Sequence, residues 1–266
     1  MTALARPTSA VGRVFEHRWT QYRRTFRSTL FTSFLSPVLF LTAMGLGLGS
    51  YVSGSAVDDI GGVSYLVFLA PGLLAATAMQ SATFEATYPI MGGLVWNKIF
   101  HAMFATPISA RDIALGNLAW IAARLTLIAT VFTVVIVLFG ANGSPLVVLA
   151  IPAAVLTGMA FAAPIAAFSA TQKTPDRFAA IYRFGITPLF LFSGTFFPID
   201  SLPAFLQPLA WATPLYHGAA LTRGLSLGTA LDDPLLALIH VLVLVACVVI
   251  GTWAAIRTIE RRLVRG

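Results

Sequence analysis

Charged side chains are scarce in this sequence of 266 residues: Asp, Glu, Lys and Arg together make up 10% of it, whereas 58% is hydrophobic. Such a composition leaves too little polar surface to cover a soluble globular domain. Basic residues outnumber acidic ones by 17 to 10, but they collect at the ends of apolar stretches and not on one soluble face. We therefore expect anionic lipid headgroups to be their counter-ions, and we expect no nucleic-acid partner.

Cysteine, lysine and histidine are also rare, and their positions exclude several functions. The single cysteine, Cys247, lies in an apolar stretch, so it is expected to pack as a small hydrophobic residue. Neither lysine, Lys98 or Lys173, follows a glycine, so the phosphate-binding motif GxxxxGK is absent. The four histidines are scattered, without an HExxH motif. The sequence thus predicts no enzyme active site, no metal site and no cofactor bound by this chain.

Long apolar runs are what the sequence has instead. Six stretches reach about 20 residues, the length needed to cross roughly 30 Å of hydrocarbon: 30–50, 63–84, 116–139, 146–168, 181–197 and 234–256. If each crosses once, every Lys and Arg except Arg223 belongs to one side of the membrane. That side is the cytoplasm by the positive-inside rule, and the opposite side receives Asp58, Asp59, Asp200, Asp232 and Asp233. The sequence therefore predicts an all-α polytopic membrane protein with six transmembrane helices and both termini in the cytoplasm.

The N-terminal segment predicts an amphipathic helix. Apolar residues recur there at three- and four-residue steps, at Val11, Phe15, Trp19, Tyr22 and Phe26. Such a helix would lie in the membrane interface with Phe15 and Trp19 at the headgroup boundary; a solvated basic leader is the alternative. The chain then divides into a cytoplasmic tail with this helix (1–29), a six-span permease domain (30–256) and a basic cytoplasmic tail (257–266).

The longest cytoplasmic connection, 85–111, predicts a short amphipathic helix. One apolar stripe at helical spacing contains Val95, Trp96, Ile99, Phe100, Met103 and Phe104. The helix ends at Thr106-Pro107, and Ser109 with Asp112 forms a capping pair for the third span. The helix either docks a cytosolic partner or rests on the membrane. Glu85, at the mouth of the second span, either pairs with a cation of this helix or is a boundary charge.

The segment after the fifth span is apolar but interrupted by proline. Pro198, Pro203, Pro208 and Pro214 prevent an unbroken helix. We predict a re-entrant extracellular helical hairpin between spans 5 and 6, covering the bundle interior. An amphipathic outer loop lying on the membrane is the alternative.

Several apolar residues are candidates for a transport pathway and its outer gate: Met79, Phe84, Phe190, Phe192, Phe196, Phe197, Pro198 and Pro203. Their aromatic, uncharged character favours an amphiphilic substrate over an inorganic ion, although the same side chains could face lipid. Gly45 and Gly49, one turn apart, are expected to allow close helix packing or contact with a second copy. Arg124 lies within the third span and is expected to snorkel towards the membrane surface or to pair across the bundle. His240, in the sixth span, is expected to form an interhelical hydrogen bond, with a proton relay as the alternative.

Three groups of residues occur in an order and spacing that carry a family resemblance: Phe84-Glu85; Trp96, Thr106-Pro107, Asp112 and Gly116; and Phe197-Pro198, Leu202-Pro203, Pro214 and Arg223. With the six-span plan, the sequence resembles a type-2 ABC transporter permease over nearly its whole length. It resembles the branch that includes nodulation lipo-oligosaccharide and daunorubicin-type drug exporters. Each of these motifs alone is weak evidence for the resemblance, but their order and spacing together are specific to the family.

The resemblance implies partners and roles. It implies a homodimer, or a pair with a sibling permease, bound in the bacterial inner membrane to a cytosolic ABC ATPase dimer that holds ATP and Mg²⁺. The N-terminal helix would be the connecting helix, and the helix at Trp96 the coupling helix. Contact with the ATPase would then involve Glu85, Trp96, Lys98, Ile99, Phe100, His101, Met103 and Phe104. The substrate would be an amphiphile, a drug, lipid or glycolipid, exported from the cytoplasm or inner leaflet.

Two other classes remain as alternatives. A secondary transporter would carry intramembrane acids or internal repeats, and none is evident in the sequence. An intramembrane enzyme would need clustered polar catalytic groups within the spans, and the sequence offers no such cluster.

Overall fold

The computed structural model describes residues 9–24, 35, 38–43 and 63–265, and the described residues are helical with short connections. In chain order the α-helices are α1 (Ala10–Arg23), α2 (Tyr65–Met91), α3 (Ile99–Phe104), α4 (Ala110–Leu138), α5 (Ala150–Thr171), α6 (Asp176–Ile181), α7 (Thr187–Phe192), α8 (Gln207–Trp211), α9 (Pro214–Leu227) and α10 (Pro234–Arg265). Wider π-helical turns follow α2 at Gly92–Trp96 and join α6 to α7 at Tyr182–Ile186.

Helix α5 lies at the centre of the bundle and packs against α2, α4, α9 and α10. Small residues allow these close approaches. A Cβ atom at Gly158 would lie 2.6 Å from Leu125 of α4 and 3.0 Å from a carbonyl oxygen of α2. One at Gly251 of α10 would lie 2.5 Å from Pro164. Close approach of the helix backbones at these glycines therefore contributes to packing of the core, together with the large side chains.

Four helical segments are long and apolar enough to cross a membrane: Tyr65–Trp96, Ala110–Leu138, Pro145–Thr171 and Pro234–Arg265. They correspond to the second, third, fourth and sixth predicted spans. The predicted fifth span is a helical stretch from Asp176 to Phe192 with a π-helical turn in its middle. The first predicted span lies mostly outside the described residues, as do Phe26, Gly45 and Gly49. The complete six-span arrangement therefore stays a prediction.

Each of these four helices is longer than the apolar run that predicted it, and at α4 a side-chain cap fixes where the helix begins. At α4, the Ser109 hydroxyl accepts a hydrogen bond from the Asp112 amide at 3.1 Å. The Asp112 carboxylate in turn accepts one from the Ser109 amide at 3.0 Å. This confirms the predicted capping pair and starts the helix at Ala110. At the other end of the chain, the predicted basic tail is a continuation of α10 to Arg265.

The proline-rich segment 193–213 is a broken connection followed by α9, which is packed into the bundle. Thr213 caps α9 by accepting from the Tyr216 amide, and Pro214 occupies its first turn. Gly218 lies directly against Thr157 of α5. The Thr222 hydroxyl donates to the Pro71 carbonyl of α2 at 2.9 Å. The prolines thus interrupt the chain as predicted, whereas re-entry from the outer side stays a prediction.

Labelling of single cysteines tests the orientation of this bundle. Thr174 and Thr229 are exposed, and they lie beyond opposite ends of α5, since residues 143 and 144 bond to the Ser226 carbonyl of α9. A helix of 22 residues separates them by roughly 33 Å. With Cys247 changed to alanine, we expect a cysteine at position 229 to react with an impermeant maleimide in intact cells, and one at 174 only after permeabilisation. External labelling at 174 would refute the orientation. A probe at Ser55 lies outside the described residues.

Candidate functional site

A short helix and the turn before it form an exposed surface at one end of the bundle. The π-helical turn ends at Trp96, and Lys98 adopts a left-handed backbone conformation with φ 52° before α3 begins at Ile99. The predicted single stripe from Val95 to Phe104 is therefore wrong in one respect: the left-handed residue breaks it into two pieces. Trp96, Lys98 and Phe104 are exposed, whereas Ile99, His101 and Met103 are partly buried.

Phe100 anchors α3 to the bundle and does not belong to the exposed surface. Its side chain is 2% exposed, and a Cβ atom at Gly93 would lie 2.5 Å from its ring. Only glycine at position 93 leaves room for the ring. A partner protein would consequently meet Trp96 (53% exposed) and Phe104 (37% exposed). A displacement of α3 would pass through Phe100 to α2.

Helix α1 docks on the same end of the bundle through protein contacts. Val14 is 1% exposed and lies against Gly116 of α4, where a Cβ atom would come within 2.6 Å of it. The rings of Phe15 and Trp120 pack edge to face at 5.8 Å, while Trp19 remains 44% exposed. The predicted amphipathic helix is present from Ala10 to Arg23. Its apolar face packs mainly on α4, and the expectation that Phe15 enters the headgroup boundary stays a prediction.

Arg18 links α1 to two bundle helices. Its Nε donates to Asn117 Oδ1 of α4 at 2.7 Å, and its guanidinium also contacts the Pro89 carbonyl of α2 at 3.4 Å. Burial lowers the pKa of Arg18, and the Glu85 carboxylate opposes that shift. Burial, followed by the charge of Arg18, also lowers the pKa of His17. His17, Arg18 and Pro89 border a cavity of about 250 Å³ between α1, the end of α2 and α3.

Glu85 forms an ion pair with Arg124, which joins α2 to α4. The Glu85 side chain is 7% exposed and that of Arg124 is 26% exposed. The Arg124 guanidinium carbon also lies 5.6 Å from the ring centre of Tyr22 on α1. The expectation that Glu85 pairs with a cation of the coupling helix is therefore wrong, because Lys98 points to solvent and Arg124 is nearer. The expectation that Arg124 pairs across the bundle is confirmed.

The predicted pathway residues occupy different environments. Met79 is fully enclosed by α5 and α9, whereas Phe84 and Phe192 are about half exposed on the surface of the bundle. Phe190 and Phe196 pack edge to face with ring centres 4.9 Å apart. Phe197 packs against a small cluster that includes Ile199 and Leu202, in the connection between α7 and α8. A pathway or gating role for these residues stays a prediction.

Arg223 is a functional candidate that the sequence placed only as an isolated outer charge. Its Nε donates to the Phe68 carbonyl at 3.0 Å and its terminal nitrogen to the Gly194 carbonyl at 2.9 Å. The guanidinium carbon lies 3.7 Å from the ring centre of Phe68. One side chain thereby ties α9, the first turn of α2 and the turn after α7 together. It borders a cavity of about 310 Å³ that also contains Asp200 and Tyr216.

His240 pairs with a histidine that the sequence analysis left unassigned. The Nδ1 atoms of His217 on α9 and His240 on α10 are 2.7 Å apart. Only one of the two Nδ1 atoms can carry the proton in that contact. The contact is therefore a hydrogen bond in which at least one of the two rings is a neutral imidazole. The structural interpretation of His240 as an interhelical hydrogen-bonding residue is confirmed. In the described part of the chain, no three His, Cys, Asp or Glu side chains gather to hold a metal ion.

The amino-acid sequence of the chain matches a known transporter family. Residues 10–227 match the ABC-2 type transporter family. The chain belongs to this family. The resemblance drawn from Phe84-Glu85, the Trp96 segment and the proline motifs is thus confirmed.

Relatives of this chain align with three quarters of its length or more. It is 31% identical to nodulation protein J of Rhizobium leguminosarum bv. viciae, over 95% of this chain and 94% of that protein. It is 32% identical to nodulation protein J of Rhizobium leguminosarum bv. trifolii, over 95% and 93% of the two chains. It is also 25% identical to the inner membrane transport permease YadH of Escherichia coli K12, over 75% and 77%. A membrane-transport permease is the function class that these similarities support.

Proposed function

We propose that this ABC-2 type permease is the transmembrane subunit of an exporter that is driven by a separate cytosolic ABC ATPase dimer. The family membership and the absence of GxxxxGK from the chain support this division. ATP and Mg²⁺ would be bound by the ATPase. A second copy of the permease, or a sibling, would complete the assembly in the bacterial inner membrane.

The observation that carries the proposal is the shape of the α3 surface. Trp96, Lys98 and Phe104 project outward, while Phe100 is held against Gly93. Exposed aromatic residues beside a fixed anchor are suited to a protein contact, since buried aromatic anchors dominate binding energy at interfaces. Lys98 adds a positive charge at the same place. The α3 surface would therefore receive the movement of the ATPase, as the coupling helix of the permease.

Movement at α3 has a direct route into the bundle. Phe100 lies against Gly93 in the π-helical turn that continues α2, and the Glu85–Arg124 pair connects α2 to α4. A rigid displacement of α3 would consequently shift α2 and α4 together, and the two permeases would alternate between inward-facing and outward-facing forms. Transport becomes directional when the substrate binds the two forms with different affinity.

The exposed aromatic side chains favour an amphiphilic substrate. Phe84 on α2 and Phe192 on α7 are about half exposed and uncharged. In a pair of permeases such faces would line a shared apolar space, which suits a drug, lipid or glycolipid better than an ion. Export as the direction of transport follows from the resemblance of the sequence to nodulation and drug exporter permeases.

The coupling proposal is tested by adding a charge to the α3 surface. Phe104→Asp should weaken association with the ATPase by about tenfold to a thousandfold, because an unpaired carboxylate buried in an interface costs on the order of 2 to 4 kcal/mol. Trp96→Ala should act in the same direction. The measurement is co-purification of the permease with the ATPase, together with ATP-dependent export from membrane vesicles.

Phe205→Asp is the matched control, since Phe205 is 79% exposed in the proline-rich segment before α8. It should leave association unchanged. Normal association and export in Phe104→Asp would show that α3 rests on lipid. Export that persists without any ATPase would favour a secondary transporter. Glu85 and Arg124 within the helices would then be the groups to examine.

A further inference from the structure

A basic cavity lies between the ends of α5 and α10. Its volume is about 380 Å³, and its polar lining consists of Thr171, Lys173, Thr258, Arg261, Arg262 and Arg265. None of the described acidic side chains borders it. Among the described residues, none of the four cations of this basic cavity forms an ion pair. The cavity thus concentrates positive charge that no ion pair in the described part of the chain compensates.

The positive charge of the basic cavity is larger than the partial negative charge at the nearby helix ends. The carbonyl ends of α5 and α10 each carry the equivalent of about half a negative charge. Two such ends offset roughly one of the four cations. A net positive charge of about three remains in a recess that two threonine hydroxyls also border. An anionic oxygen ligand is therefore favoured there.

An exposed apolar stripe on α10 leads into the basic cavity. Ile250, Trp253, Arg257, Arg261 and Arg265 follow one another at three- and four-residue steps, so they share one face of the helix. Ile250 is 66% exposed and Trp253 is 62% exposed. The Arg257 guanidinium carbon lies 5.7 Å from the Trp253 ring centre. Along this face the surface changes from apolar through aromatic to cationic, as a lipid changes from acyl chain to headgroup.

We infer that the basic cavity binds the phosphate headgroup of an anionic glycerophospholipid, with an acyl chain along the exposed face of α10. The guanidinium groups would bind the phosphate oxygens in pairs, which is the geometry that arginine favours. The inference rests on the proposed orientation, in which this end of α10 faces the cytoplasmic leaflet. It does not depend on coupling to the ATPase or on the exported substrate. The lipid would fix the ends of α5 and α10 relative to the membrane surface.

Native mass spectrometry of the full-length permease, released from detergent, tests this inference. The probes are phosphatidylglycerol, cardiolipin and phosphatidylcholine with the same acyl chains, and inorganic phosphate. We expect the two anionic lipids to bind at least tenfold more tightly than phosphatidylcholine. Each cation removed by Lys173→Gln, Arg261→Gln, Arg262→Gln or Arg265→Gln should weaken anionic-lipid binding by about fivefold.

Two control variants separate the site from general surface charge and from misfolding. Arg13→Gln combined with Arg111→Gln removes two exposed cations outside the cavity and should leave lipid binding unchanged. Replacing the three cavity arginines with lysine should retain most of the preference for anionic lipids, since the charge is kept. Equal binding of phosphatidylcholine, or an equal loss in the control pair, would overturn the proposal. So would phosphate binding as tightly as lipid, or displacement of the lipid by the ATPase.

Discussion

Replacing Glu85 with glutamine is expected to destabilise the helical bundle by about 3 to 5 kcal/mol. The substitution keeps the shape of the side chain but leaves the Arg124 guanidinium without its counter-charge, at a position where only 26% of that side chain is exposed. Removing one partner of a buried ion pair has this large effect because the remaining charge stays desolvated. The Nε atom of Arg124 is already buried without a hydrogen-bond partner, so the loss has no local compensation.

The double variant Glu85→Gln and Arg124→Gln is the matched control. Neutral side chains can form a hydrogen bond with each other, so the double variant should recover most of the lost stability. Unfolding by SDS in mixed micelles, followed by intrinsic fluorescence, measures the difference. A single variant as stable as the parent would show that water or lipid headgroups already screen the pair. A double variant no better than the single one would show that packing, and not charge, explains the effect.

The Glu85–Arg124 pair matters for function because of where it lies. It joins α2 to α4, and the Arg124 guanidinium also approaches Tyr22 of α1. The helices α1, α2 and α4, which lie next to α3, are thus connected at one point. If that connection transmits movement, the neutral double variant should fold normally but export more slowly. A folded protein with reduced export would separate the coupling role of the pair from its structural one.

The sequence predicted much of the fold because hydrophobic length and capping are local properties. The apolar runs at 63–84, 116–139, 146–168 and 234–256 correspond to helices, and the Ser109–Asp112 cap is present. Helix ends were less predictable. The second span continues to Trp96 through Pro89 and the π-helical turn Gly92–Trp96, although hydropathy alone ended it at residue 84.

The candidate site depended on contacts between distant parts of the chain, which periodicity does not reveal. Phe100 looked equivalent to Phe104, but Gly93, seven residues earlier, provides the space that buries it. The stripe on α1 was correct in its spacing, yet Gly116 of α4 decides that it packs on protein. Arg223 could have been noticed as the one basic residue that the predicted topology assigns to the outer side. Its carbonyl partners at Phe68 and Gly194 could not have been deduced.

The outer end of the bundle is expected to open when Arg223 is replaced by alanine. The substitution removes hydrogen bonds to the carbonyls of Phe68 and Gly194, and the stacking of the guanidinium on the Phe68 ring. Bonds to a charged donor contribute about 1.5 to 3 kcal/mol each. Losing both should reduce the stability of the closed conformation, in which the turn after α7 is held against α2 and α9, by several kcal/mol. A change of that size is enough to make the open conformation the main one.

Gly72 provides an independent test of the Arg223 clamp without removing the charge. A Cβ atom at position 72 would lie 2.9 Å from the Arg223 terminal nitrogen and 3.0 Å from the Thr195 carbonyl oxygen, so Gly72→Ala must displace one or both. Gly185→Ala is the matched control, because a Cβ atom there meets nothing within 4 Å. We expect Arg223→Ala and Gly72→Ala to let a small fluorescent dye leak from proteoliposomes, whereas Gly185→Ala and the parent stay sealed. Arg223→Lys should leak partially, since lysine keeps the charge but cannot stack and bond both carbonyls at once. Sealed vesicles with both Arg223→Ala and Gly72→Ala would show that the clamp stabilises the fold without closing a pathway.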